Sequence, residues 1–132
     1  MAKTLNTLLL TISAAETLVG VALALFPSLL TSLLFGSRLD APVGILVARV
    51  AGSALLAMGI ACWLARDNSE SRAAAGLIMA LLFYDAAVVV IFLYARLGAG
   101  LWGIGLWPAV VLHSGLGVWS VLCLKKVKAN VR

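Results

Sequence analysis

Four long apolar stretches, joined by short polar or glycine-rich connections, decide what this chain can fold into. They run over residues 5–26, 43–65, 73–97 and 104–124. A helix needs about 20 apolar residues to cross the hydrocarbon core of a bilayer, and each stretch has that length. Hydrophobic residues make up 64% of the 132-residue chain and charged residues 11%. Average soluble domains are roughly half apolar and about a quarter charged. A chain with so few polar side chains cannot clothe a water-facing exterior, which excludes a soluble enzyme, a secreted disulfide scaffold and a disordered segment. The expected fold is all-α: one domain, residues 1–132, forming an integral membrane bundle of four transmembrane helices in up-down-up-down order.

Local punctuation sets the boundaries. Lys3, Leu8–Leu10 and the small residues Ser13–Ala15 have the look of a signal peptide. Glu16 follows at once, however, and the apolar run continues to Leu25, so the stretch is expected to remain as the first span. Pro27 lacks an N–H and suits the first turn of a new helix. Residues 27–35 are too few to span and read as a short interfacial helix ended by Gly36. The run Arg66-Asp-Asn-Ser-Glu-Ser-Arg72 is the most polar in the chain and divides it into two halves of two spans each. The glycines between Gly98 and Gly105 permit a tight reversal.

Charge fixes the expected orientation. With four spans, Lys3, Arg66, Arg72, Lys125, Lys126, Lys128 and Arg132 fall on one side, and only Arg38 and Arg96 on the other. The positive-inside rule places the basic side, with both termini and the middle loop, in the cytoplasm. Cys62 and Cys123 then lie at the reducing side, where a disulfide is not expected. The tail lysines anchor the last span and meet anionic lipid. The basic residues report topology, and no nucleic-acid partner is expected.

Well inside its ends, each span holds one acidic, arginine or histidine residue: Glu16, Arg49, Asp85 and His113. Such residues are costly in lipid and face a partner or a cavity. At a rise of 1.5 Å per residue, Glu16, Asp85 and His113 lie roughly 16–18 Å from the cytoplasmic ends of their helices, and Arg49 roughly 24 Å. The expected arrangement is an intramembrane polar cluster in which Arg49 pairs with Asp85 or Glu16, with His113 in the same layer; the competing arrangement has Arg49 snorkel to the outer end, about 9 Å away at helical rise. Thr17, Ser53, Tyr84 and Ser114 are candidates for supporting hydrogen bonds. Such a cluster serves either as a structural network or as a site for a substrate, a proton or a cofactor.

No catalytic residue can be assigned, because no nucleophile elbow, P-loop or dinucleotide fingerprint is present. Histidine and cysteine do not occur at metal-ligand spacing. Ala109-x-x-x-His113 would leave room for the face of a haem, but the chain has no second histidine for bis-histidine ligation. No metal or other cofactor is therefore expected. Ala48-x-x-x-Gly52, Ala57-x-x-x-Ala61-x-x-x-Ala65 and Gly76-x-x-x-Ala80 are spaced for close helix packing, inside the bundle or across a dimer face. Tyr94, Trp102 and Trp107 at one end, and Trp63 at the other, suit aromatic belts.

The segments Phe26-Pro27-Ser-Leu-Leu and Leu34-Phe35-Gly36 after the first span, with Ala48-Arg49-Val-Ala-Gly52 and Gly59 in the second, resemble the small bacterial four-helix membrane proteins of the DoxX-like kind. The resemblance covers most of the chain in layout. It implies a membrane bundle, and some such proteins resemble accessory subunits of membrane redox complexes. The expected function is a non-catalytic structural or accessory component of a membrane assembly, as a homo-oligomer or within a larger complex. The alternatives are a small transporter or channel for protons or a small solute, and a membrane enzyme or cofactor-binding subunit.

Overall fold

The computed structural model describes the backbone of residues 2–130 and the side chains of residues 2–125. The expectations for Lys126, Lys128 and Arg132 fall outside the described side chains. Five α-helices follow one another: α1 Ala2–Leu25, α2 Pro27–Phe35, α3 Pro42–Ala65, α4 Arg72–Leu97 and α5 Leu106–Asn130. One 3-10 turn, Arg66–Asn68, joins α3 to α4, and no strand occurs among the described residues. Four helices are long and apolar enough to cross a membrane: α1, α3 with its 3-10 turn, α4 and α5.

The breaks between helices have local causes. A residue that precedes proline is pushed out of the helical region, and Phe26 accordingly takes φ −128° and ψ 54° before Pro27 opens α2. Gly36 ends α2 in the left-handed region at φ 68°, its N–H bonding the Ser32 carbonyl. Ser71 caps α4 by accepting a hydrogen bond from the Ala74 N–H at 3.1 Å, which satisfies one otherwise unpaired donor.

α1 and α3 form the tightest pair. A Cβ added at Gly52 would sit 2.6 Å from the Ala24 nitrogen and 2.7 Å from the Gly20 carbonyl oxygen. One added at Gly59 would lie 2.5 Å from Thr17 Oγ1. The two backbones therefore touch, as small residues permit. Gly76-x-x-x-Ala80 does not play this part inside the chain. The packed side of α4 carries Ala74, Ile78, Leu81 and Asp85, and Gly76 lies away from it with nothing within 4 Å of its added Cβ.

α4 and α5 make the second pair. The two pairs are fused at one end, here called the floor, which holds the start of α1, the 66–71 turn and the later part of α5. Leu5, Leu8, Leu9 and Ile12 of α1 cluster there with Cys62, Ile78, Leu81, Leu116 and Cys123. At the opposite end, the cap, α2 meets the loop between α4 and α5. The Trp102 N–H donates to the Phe35 carbonyl at 3.1 Å, and the Gly105 N–H to the Leu33 carbonyl at 2.9 Å.

The glycine-rich loop thus does more than reverse the chain. Gly100, at φ 67°, serves the turn and has nothing within 4 Å of its added Cβ, whereas a Cβ on Gly103 would run into the Leu33 carbonyl oxygen. α5 starts at Leu106, beyond the expected residue 104, because Gly103 to Gly105 are held against α2. Gly103→Ala is expected to pry the cap open and destabilise the fold by about 1–3 kcal/mol, the usual cost of overpacking. Gly100→Ala should cost only about 1 kcal/mol, from left-handed strain. Thermal melts of the two variants in one detergent check this order.

Candidate functional site

Of Glu16, Arg49, Asp85 and His113, the last two are in direct contact. Asp85 Oδ1 lies 2.7 Å from His113 Nδ1, with the side chains 4% and 14% exposed. α4 and α5 run side by side here, so the Asp85–His113 contact crosses the interface of the second pair. With Asp85 ionised, the carboxylate accepts, Nδ1 donates, and Nε2 is left as the ring's remaining polar atom. Nε2 makes no hydrogen bond among the described residues.

Glu16 approaches from α1. It is buried, at 3% exposure, and couples electrostatically to both His113 and Asp85. No hydrogen bond or ion pair reaches its carboxyl group among the described residues. Tyr84, beside Asp85 in sequence, packs edge-on to His113 with ring centroids 5.7 Å apart. Phe92 makes a second edge contact with His113 at 6.5 Å, and Phe35 of α2 meets Phe92 at 5.3 Å. An aromatic series therefore leads from the cap to the Asp85–His113 pair.

Arg49 is not part of this cluster, which corrects the expected pairing. It is exposed and forms no ion pair among the described residues. Gly52, Leu55, Gly59 and Cys62 make the packed side of α3. At 3.6 residues per turn, Arg49 points roughly a quarter turn away from the middle of that side. Leu46, Val50 and Ile60 share its exposed flank.

The expected supporting residues also separate. Tyr84 is at the site. Ser114 lines a shallow groove between α4 and α5 that also reaches Asp85 and His113. Thr17 faces a different hollow with Ser13 and Trp63, and the Ser53 hydroxyl donates to the Arg49 carbonyl at 3.0 Å. Two buried hydroxyls were not foreseen. Ser13 donates to the Gly59 carbonyl at 2.8 Å, and Ser120 Oγ, fully buried, has no hydrogen-bond partner among the described residues. Ser120 lies seven residues, or two turns, after His113 on α5. That spacing was the signal available in the sequence.

Between the two helix pairs lies a cavity of 390 Å³. Its walls come from all five helices and include Leu23, Leu34, Phe35, Leu55, Val88 and Phe92, with Tyr84 and His113 among its few polar side chains. Toward the floor, the packed cluster closes the bundle. The cavity is half-open and apolar, with a small number of convergent polar groups, the make-up of a small-molecule site. No group of three or more metal-ligating side chains occurs among the described residues.

The class these observations define is an all-helical bundle with four helices fit to span a membrane and a histidine–aspartate pair at a half-open cavity between the helix pairs. Comparison with known proteins takes the assignment no further: no family model, no curated protein and no solved structure matches this chain.

Proposed function

We propose that this chain is a multi-pass protein of the bacterial plasma membrane that holds a small, mostly apolar molecule between its helices. His113, oriented by Asp85, contacts the molecule's one polar group. The observation that carries this reading is the aromatic- and aliphatic-walled cavity that reaches His113. Asp85 holds the ring through Nδ1, which frees Nε2 to accept a hydrogen bond from a hydroxyl. Tyr84 and Phe92 limit how that ring can turn. No bond-making step is assigned to these residues.

The test is to purify the protein in a mild detergent and extract bound small molecules with organic solvent. Wild type is expected to yield a compound that Ala109→Trp, which fills the cavity from its wall, loses, and that His113→Ala retains at several-fold lower occupancy. Identical extracts from all three proteins would overturn the proposal.

An accessory role in a larger assembly, with the DoxX-like layout, is a second reading. It is favoured by Gly76 and Gly115, where an added Cβ would meet nothing within 4 Å. Another helix can approach closely at such positions. Transport of a proton or small solute would use the same Glu16, Asp85 and His113, but it would also require the floor to open.

A further inference from the structure

We propose that Arg49 holds the phosphate of a phospholipid in the leaflet nearest the cap. The inference rests on α3 being a membrane span. Within such a span a guanidinium is costly and needs a counter-charge, and arginine cannot escape the cost by losing its proton. The fold supplies no counter-charge. Asp85 is bonded to His113, Glu16 is buried in the bundle interior, and neither forms an ion pair with Arg49. The Ser53 hydroxyl is directed to the Arg49 carbonyl. Asp40, the carboxylate nearest the cap end of α3, forms no ion pair either.

The position of Arg49 identifies the missing partner. It lies seven residues after Pro42, the first residue of α3. At helical rise that is about 10 Å below the helix end. An extended arginine that buries its methylenes along the helix and lifts its head covers most of that distance. Its flank of α3 is apolar and exposed, with Leu46 at 61%, Val50 at 71% and Ile60 at 58%, so acyl chains can lie beside the residue while the headgroup sits above. Arg38 and Arg96 add positive charge at the same end of the bundle, against Asp40 alone. The planar guanidinium fork matches two phosphate oxygens at once, which a lysine cannot do.

The test uses the full chain in maltoside detergent, with phosphatidylglycerol, a neutral glycolipid and inorganic phosphate as three separate additions. Native mass spectrometry and thermal melts are the readouts. Wild type is expected to retain phosphatidylglycerol and gain thermal stability with it, and to gain neither from glycolipid nor from inorganic phosphate. Arg49→Gln should weaken retention about tenfold or more. Arg49→Lys, which keeps charge but not the fork, should weaken it severalfold, and it serves as the informative variant if the glutamine protein does not fold. Arg38→Gln should change retention less than twofold.

Equal retention by wild type and Arg49→Gln would overturn the proposal, as would equal stabilisation by inorganic phosphate. A wild-type dimer that becomes monomeric on Arg49→Gln would also overturn it, assigning the counter-charge to a second copy. Alkaline extraction of native membranes separates the two levels of failure. A chain released by alkali refutes the membrane span itself, whereas a chain that stays in the membrane but ignores lipid identity refutes only the phosphate site.

Discussion

Gly52→Ala is expected to destabilise the protein by about 3 kcal/mol, at the upper end of overpacking costs, although it adds a single methyl group. The new Cβ would meet backbone on α1, at Ala24 and Gly20, with separations of 2.6 and 2.7 Å. No side chain is there to rotate aside, so α1 and α3 must part along their length. The same substitution at Gly76 has the opposite expected sign. Its added Cβ meets nothing within 4 Å, and alanine is favoured over glycine in a helix interior by up to about 1 kcal/mol. Chemical or thermal unfolding in one detergent compares the pair. Equal effects of the two substitutions would show that α1 and α3 are not in backbone contact.

Asp85→Ala should cost about 3 kcal/mol, the lower end for breaking a buried pair. The histidine would keep its place at the cavity and lose the group that orients it. His113→Ala should cost a comparable amount, because it leaves a buried carboxyl without a hydrogen bond. The double variant should cost clearly less than the sum, with a coupling of about 1–3 kcal/mol, as expected for residues in direct contact. Additive losses would show that the two side chains act independently. Arg49→Leu, by contrast, should leave the Asp85–His113 coupling unchanged, since Arg49 touches neither residue.

The helical plan and the polar layer were legible for different reasons. Chain length and hydropathy give four helices directly, and the prolines and glycines mark most of their ends. Glu16, Asp85 and His113 could be placed at one depth because helical rise converts sequence position into height. What the sequence hid was rotation. The spans are apolar on nearly every side, so polarity does not say which side of α3 packs inward. That information lies in Gly52 and Gly59, whose neighbours Gly20 and Thr17 are on another helix. Taken as the packed side, those two glycines already turn Arg49 out of the cluster. The loop at residues 98–105 was opaque for a related reason. A glycine needed for a turn and one needed because another backbone lies against it look the same until the fold brings Leu33 beside Gly103.

The join between the two helix pairs also has a consequence for timing. At one end nine buried residues interlock. At the other, two main-chain hydrogen bonds hold α2 to the loop before α5, each contributing about 1 kcal/mol net. The molecule therefore has a hinge with its axle at the interlocked end and its latch at the other. The latch is expected to part more often than the axle, which amide hydrogen exchange at Trp102 and Gly105 would read. A molecule in the cavity would sense that motion, because Phe35 belongs to both the latch and the cavity wall.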